Sequence, residues 1–290
     1  MKNITKNSAI VETPAKINLM LEVLNKREDG FHNINSIFQA ISLYDEISFE
    51  KIDGTDFQLA IENKILPADE SNLIFKAFEL MKRKFQLNSG LKVSLKKNIP
   101  VSAGLGGGSS DAAATIDVIN QLFGLGLGNQ EMAEISAEIG SDIPFFFSSG
   151  QALVTATGNV VQDIQLPLDY WVVLVKPKEG FSTIEMYASL KRGLTYSKNP
   201  FSFASCSIVT EMIGQLKKTG NDFEEFALNH FPELDKIRAF LLKQGALIVR
   251  MSGSGSAFFG IFESYPDVRN WTEPEGVDRQ FCAVKPITLP

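Results

Sequence analysis

Gly104, Gly106, Gly107 and Gly108 put four glycines into five positions of the stretch Ile99-Pro100-Val101-Ser102-Ala103-Gly104-Leu105-Gly106-Gly107-Gly108-Ser109-Ser110-Asp111-Ala112. Before it, Leu91, Val93 and Leu95 alternate with Lys92, Ser94 and Lys96, the period-two pattern of a half-buried strand. After it, Ala112, Ile116, Ile119, Leu122 and Phe123 recur at helical spacing. A glycine-rich loop must therefore join a strand to a helix. Missing Cβ atoms let a ligand approach the backbone, and the helix that follows begins with unpaired N–H groups at the positive end of its dipole. Such a junction attracts phosphate. Two known cradles do not fit. No Lys follows the glycines, as a Walker loop requires, and Ser109 stands where the dinucleotide fingerprint has its third glycine. What remains is a cradle with two hydroxyls, Ser109 and Ser110, at the mouth of the helix. One is expected to cap it, and the other can reach a phosphate oxygen or a metal ion.

The 290 residues, 44% of them apolar, suffice for one sizeable domain or two closely packed ones. A net charge of −6 gives no reason to expect a nucleic-acid partner, so any phosphate site must be local. Cys206 and Cys282 stand far apart and only two His occur, which excludes a disulfide framework, a structural zinc site and a His-rich metal site. The polar start, Met1 to Ala9, and the lack of a long apolar run lead us to expect a cytoplasmic protein with no membrane partner.

Taken in order, residues Ile10 to Leu24 read as a strand that carries Lys16 and Asn18 on one face. A charged glycine turn, Lys26 to His32, follows. Glu46 to Lys51 and Asp56 to Glu62 are expected to form a hairpin through Asp53-Gly54. Helices are expected over Asn72 to Phe85 and over Asn129 to Ile139, the latter closed by Gly140. Asp142 then precedes Pro144 and three phenylalanines, where it is either a helix cap or a carboxylate in dry surroundings that needs a partner. Strands are expected at Gln151 to Thr157 and, covered on both faces, at Trp171 to Val175. Ser182 or Thr183 can cap a short helix, and Leu194 to Ala204 reads as a surface loop. Helices follow at Ile208 to Lys217, Phe223 to Asn229 and Pro232 to Gln244. Leu247 to Arg250 and Ala257 to Phe262 are strands joined by a second small-residue loop, Met251-Ser252-Gly253-Ser254-Gly255-Ser256. A helix near Pro266 to Trp271 and a strand at Gln280 to Val284 complete the chain.

Three motifs thus stand in order: Pro14-Ala15-Lys16-Ile17-Asn18-Leu19, the Gly104 to Ser110 cradle, and Met251 to Ser256. Their order and spacing resemble the signatures of the GHMP kinase superfamily of small-molecule kinases. Asp29-Gly30-Phe31-His32, Gly140-Ser141-Asp142-Ile143-Pro144-Phe145-Phe146 and Phe181-Ser182-Thr183 with Tyr187 narrow the resemblance to the 4-diphosphocytidyl-2-C-methyl-D-erythritol kinases of the non-mevalonate isoprenoid pathway.

That resemblance implies an α+β fold of two lobes, an N-terminal lobe like domain 2 of ribosomal protein S5 and a ferredoxin-like C-terminal lobe. The expected domains are residues 1–160, which bind ATP, and residues 161–290. It implies ATP-dependent phosphorylation of the C2 hydroxyl of the methylerythritol moiety, with Asp142 as catalytic base and Lys16 as its partner. Asn18 belongs to the same polar cluster. His32 is expected to hydrogen-bond the cytosine, which Phe31 and Tyr187 sandwich, and Thr183 completes the substrate set. Family members often carry Tyr at the position of Phe31; stacking survives that exchange, but a phenol contact is lost. Pro100, Gly104, Leu105, Gly106, Gly107, Gly108, Ser109 and Ser110 would hold the ATP phosphates, with Ser109 or Ser110 near Mg²⁺. Asn72, Leu73 and Lys97 would border the adenosine. Gly253, Ser254 and Gly255 would close over the reacting groups. A monomer or a homodimer is expected.

The chemistry of these residue types agrees. An alcohol is a poor nucleophile at neutral pH, so a carboxylate must take its proton, and an ammonium can neutralise charge on the transferring phosphoryl group. Another GHMP kinase, acting on mevalonate, homoserine or a sugar, has no use for an aromatic clamp beside Gly30-Phe31-His32. A nucleotide-binding protein without catalysis needs neither Lys16 nor Asp142. A non-enzymatic interaction domain leaves the three motifs unexplained.

Overall fold

The computed structural model describes residues 2–62, 66–178, 180–190, 206–271 and 277–290. Its packing resolves into two compact units. One comprises Met1–Ala15, Leu43–Val101 and Gly106–Ser148, the other Lys16–Ser42, Ser102–Leu105 and Ser149–Pro290.

In the first unit β1 (Lys2–Ile4) pairs antiparallel with the start of β2 (Ser8–Lys26), through Lys2↔Val11 to Ile4↔Ala9. The end of β3 (His32–Ile52) and β4 (Phe57–Ile61) follow, with α1 (Leu73–Phe85), β5 (Gly90–Lys96), α2 (Gly107–Leu122) and α3 (Asn129–Ser136). The expected hairpin between β3 and β4 is not formed. Gly54 does turn the chain, at φ +80°, but β5 lies between the two strands. It pairs antiparallel with β3 through Ile47↔Leu95 and Phe49↔Val93, and parallel with β4 through Phe57↔Leu91 and Leu59↔Val93. The reason is burial. Leu91, Val93 and Leu95 are all buried, whereas β4 is only half-covered and settles at the outside. Gly90 makes the close passage available, since a Cβ there would lie 2.2 Å from the Asp56 carbonyl oxygen. Behind this sheet the apolar faces of α1 and α2 bury Ile74, Ala77, Phe78, Met81, Ala112, Ile116 and Ile119 in one core.

The second unit holds the start of β3, paired with β6 (Gln151–Ala156), which folds back on β7 (Val160–Asp163). It also holds β8 (Trp171–Pro177), α4 (Thr183–Ser189), α5 (Val209–Leu216), α6 (Glu224–His230), α7 (Glu233–Lys243), β9 (Ile248–Met251), β10 (Phe258–Phe262) and β11 (Val277–Val284). The last four strands form an antiparallel sheet in the order β11-β8-β10-β9, the strand order of a ferredoxin-like fold, as expected. Val172 to Val175 are buried, in keeping with their unbroken apolar run. Near Pro266 to Trp271 only a 3-10 turn forms, Val268–Asn270, where Asp267 accepts from Arg269 N at 3.2 Å and pairs with the Arg269 guanidinium. The loop expected at Leu194 to Ala204 lies outside the described residues.

Two expected caps are corrected. Gly106, at φ +68°, is the N-cap of α2, so Ser109 and Ser110 lie inside its first turns and neither side chain caps it. Asp142 does not cap the 3-10 turn Pro144–Phe147, where Ile143 holds the cap position. α3 ends at Ser136, and the chain tightens through i→i+3 bonds before it reaches Gly140.

Candidate active site

Within the second unit the three sequence motifs meet. Lys16 and Asn18 are buried on β2, and the Lys16 ammonium donates to Asn18 Oδ1 at 2.6 Å while lying 4.3 Å from the centroid of the Phe38 ring. Their alternation on the strand puts both on one face. Asn18 Nδ2 donates to Ser36 Oγ at 3.0 Å, and Asn18 N donates to Ser252 Oγ at 3.2 Å. Ser252 Oγ in turn donates to the Gly104 carbonyl at 2.8 Å. Lys16 N donates to Leu105 O at 2.9 Å, and Ala257 N to Ala103 O at 3.1 Å. One residue of the third motif, Ser252, therefore ties the first motif to the second.

Glycine is required at this junction. Gly104 has φ +74°, and a Cβ on it would lie 1.9 Å from the Ser252 carbonyl oxygen. Gly253 (φ +57°) faces Asn18 Oδ1 and Gly104, while a Cβ on Gly255 would fall 2.6 Å from the Phe181 ring. Ser254 Oγ lies 3.0 Å from Thr183 Oγ1 at the start of α4. One turn along, Tyr187 stacks on His32, with ring centroids 5.2 Å apart and planes 20° from parallel, and meets Phe223 edge-on at 5.0 Å. Phe31 projects into solvent, 62% exposed. Burial and the neighbouring Lys26 charge hold the His32 imidazole below its ordinary pKa, which keeps it neutral at pH 7. A neutral ring offers one donor and one acceptor.

In the first unit α2 starts where the glycines end. Ser110 N makes the first intrahelical bond, to Gly106 O at 2.9 Å, which leaves the N–H groups of Gly107, Gly108 and Ser109 without a carbonyl of a preceding turn. A Cβ on Gly108 would meet Leu73 Cδ1 at 3.6 Å, so the beginning of α1 adjoins that of α2. Asn72 caps α1 by accepting from Ile74 N at 2.9 Å, and its Nδ2 donates to Pro67 O at 2.9 Å. Asp142 is half-buried, next to the buried Ile143 and Pro144. Pro100 is half-buried at the loop entry.

Lys97 is engaged by groups the sequence did not single out. Its ammonium pairs with Asp45 and with Asp111 Oδ2, the latter at 3.0 Å, and all three side chains are at most 3% exposed. Thr13 Oγ1 donates to Asp111 Oδ1 at 2.7 Å, and Asp45 Oδ1 accepts from Asn98 N and Ile99 N at 2.6 and 2.8 Å. Burial pushes the Asp111 carboxyl up to about 6; Lys97 pulls against that and Asp45 adds to it. This cluster lies directly behind the cradle, since a Cβ on Gly107 would stand 2.7 Å from Lys97 Nζ. Asp111 left one signal in the sequence. It falls on the apolar stripe Asp111, Thr115, Val118, Leu122, where an unpaired charge is not tolerated. Among the described residues no group of three or more His, Cys, Asp or Glu side chains is arranged to hold a metal, and no helix is long and apolar enough to cross a membrane.

Residues 72–150 match the GHMP kinases N terminal domain, and residues 198–271 match the GHMP kinases C terminal domain. A 4-diphosphocytidyl-2-C-methyl-D-erythritol kinase of Bacillus cytotoxicus is 38% identical over 252 residues, spanning 87% of this chain and 87% of that protein. The chain belongs to the 4-diphosphocytidyl-2-C-methyl-D-erythritol kinase family. A Bacillus cereus member of the family matches over the same span, again at 38% identity. A crystal structure of a 4-(cytidine 5'-diphospho)-2C-methyl-D-erythritol kinase superposes with a TM-score of 0.70 at 29% identity, covering 87% of this chain and 89% of that one. The homoserine kinase of Cytophaga hutchinsonii superposes with a TM-score of 0.75 at 18% identity, over 99% and 96% of the two chains. At that identity the likeness extends to the fold alone. It matches the two-lobed GHMP architecture that the family shares with other small-molecule kinases.

Proposed function

We propose that this kinase transfers the γ-phosphoryl group of ATP to the C2 hydroxyl of 4-diphosphocytidyl-2-C-methyl-D-erythritol. The observation that carries this assignment is the junction of Lys16–Asn18, Gly104–Leu105 and Ser252–Gly253 in one hydrogen-bonded cluster, in a chain of that family. Asp142 takes the hydroxyl proton as the bond to phosphorus forms, and Lys16 supplies positive charge for the transferring group. The N–H groups of Gly107, Gly108 and Ser109, which have no intrahelical acceptor, receive the nucleotide phosphates, as a 16-residue helix with no side-chain cap is suited to do. Asn72 and Leu73, at the adjoining start of α1, border the nucleoside.

Magnesium keeps most of its waters and leans on substrate phosphates, so a donor set of hydroxyls without a carboxylate cage fits an ion that arrives with ATP. Ser109 or Ser110 would be its protein ligand, and the ion would neutralise charge on the phosphates. Neutral His32 reads the cytosine edge, while Tyr187 and Phe31 supply faces for stacking. Thr183 and Ser254 present adjacent hydroxyls to the substrate. Along the sequence, residues 1–160 are assigned to the ATP-binding family domain and residues 161–290 to the second, a division supported by the two matched regions falling on either side of it and distinct from the packing units, in which residues 16–42 and 149–160 belong with the C-terminal half. We assign the protein to the cytoplasm, as a monomer or homodimer.

The test is ADP release with ATP and Mg²⁺, comparing 4-diphosphocytidyl-2-C-methyl-D-erythritol with mevalonate and homoserine. Release with the cytidyl substrate alone supports the assignment. Release with another alcohol keeps the kinase but removes the base pocket, and silence with all three overturns it.

A further inference from the structure

The turn between α5 and α6 carries none of the residues given a role in the proposed reaction, yet its hydrogen bonds reach three parts of the site. Leu21 N donates to Gly220 O at 2.9 Å and Asp222 N to Leu21 O at 3.0 Å, forming a parallel bridge between Leu21 and Asn221. Val23 N donates to Asp222 Oδ2 at 2.7 Å. The turn is thus laid along the strand that holds Lys16 and Asn18. Asn221 itself is buried with its amide fully used. Nδ2 donates to Met251 O and to Gly253 O, each at 2.8 Å, and Oδ1 accepts from Phe223 N at 3.0 Å. Phe223 is buried and sets its ring edge-on to Tyr187, which stacks on His32.

In the loop after β9 Ser252 is held through its hydroxyl, but Gly253 and Gly255 have no side chain by which to be fixed. Gly253 and Gly255 both have positive φ, and glycines lose the most conformational freedom on ordering. An amide that donates to the last carbonyl of β9, Met251 O, and to Gly253 O within the loop restrains it from outside. We infer that Asn221 is a positioning residue: it clamps the Gly253–Gly255 loop to the Lys16–Asn18 strand and, through Phe223, sets the Tyr187 ring, coupling the phosphoryl-transfer loop to the base pocket. The coupling to catalysis rests on the function proposed above, while the clamp stands on geometry alone.

Asn221→Ala and Asn221→Asp test it, the second because a carboxylate would face two carbonyl oxygens. Turnover is expected to fall roughly 10- to 100-fold and KM for the cytidyl substrate to rise, with KM for ATP within about twofold of wild type. Amide exchange supplies a readout independent of activity. The N–H groups of Ser252 and Gly255, bonded to Ala257 O and Ser252 O, should exchange about tenfold faster or more, while Phe259 and Gly260 in β10 stay protected. Phe223→Leu should raise KM for the cytidyl substrate without changing exchange at Gly255. Wild-type kinetics and exchange in both Asn221 variants overturn the inference, and so does faster exchange throughout the unit, which marks a merely structural residue. Wild-type enzyme that ignores the cytidyl substrate would defeat the proposed function instead, leaving the exchange data to judge the clamp.

Discussion

Gly104→Ala adds a single methyl group at the meeting point of the three motifs, and its cost can be built up from the geometry. At φ +74° an L side chain carries a conformational penalty of about 1–2 kcal/mol. The new Cβ would stand 1.9 Å from Ser252 O and 2.8 Å from Ser252 C, against a shortest normally observed contact of 3.0 Å. The obstruction is backbone, so Ser252 must retreat by more than an ångström (3.0 − 1.9) rather than rotate away. That movement breaks the Ser252 Oγ to Gly104 O bond, worth about 1 kcal/mol, and overpacking adds about 1–3 kcal/mol. The sum is a loss of roughly 3–6 kcal/mol. Urea denaturation of the variant measures it, with Gly30→Ala as control. Gly30 has φ +88° but no atom of the described residues within 4 Å of a Cβ, so it bears only the conformational penalty. A Gly104→Ala enzyme within about 1 kcal/mol of Gly30→Ala, and with wild-type turnover, would refute the described contact and the reasoning built on it.

Further outcomes can be measured with the same preparations. Asp142→Asn should lower kcat by about 10²-fold or more while ATP binding persists, and normal turnover would remove Asp142 from the chemistry. Lys97→Met leaves the buried Asp45 and Asp111 without their cation and should destabilise the protein by about 3–5 kcal/mol in denaturation; a neutral result would contradict the burial of the pair. Asp111 is held at about 6 in the folded protein, above its ordinary value of 3.8, so the folded state binds more protons between those pH values. Its contribution to stability is present at low pH and is lost as pH rises through 6, and Asp111→Asn should flatten that slope. Tyr170→Phe removes a buried hydroxyl that has no hydrogen-bond partner among the described residues, so unfolding should show no loss of stability and a gain of up to about 1 kcal/mol.

The sequence was most readable where a local pattern and a packing demand coincided. Leu91, Val93 and Leu95 alternate and are buried, the Asn72 cap begins α1, and Val172 to Val175 run unbroken through a covered strand. Pairing partners were harder. The turn at Asp53-Gly54 is real, but nothing local tells β3 to choose a strand nearly 40 residues later over its neighbour; burial of β5 decides it. In the site, Lys16, Asn18 and the glycines were legible because their spacing carries the family pattern, while Ser252 as the tie between motifs was not. The Asp45–Lys97–Asp111 cluster joins three distant segments, and only the placement of Asp111 on an apolar stripe hinted at it. Asn221 gave no such hint, because an Asn before an Asp in a turn is ordinary.

The two compact units are interleaved along the chain, and this sets an order on synthesis. Residues 1–148 contain everything the first unit needs, whereas residues 16–42 and 102–105 belong to a unit that is completed only by residues 149–290. Lys16 and Asn18 must therefore wait, with half of β2 and half of β3, until Ser252 has left the ribosome more than 230 residues later. During that interval the apolar residues of the strand that are buried in the folded unit, Ile17, Leu19 and Met20 among them, lack their final cover, the kind of surface that chaperones bind and that aggregates when they do not. Nor can the gene be cut to yield the second unit alone: a fragment beginning at residue 149 lacks the strands on which its own glycine loop is anchored.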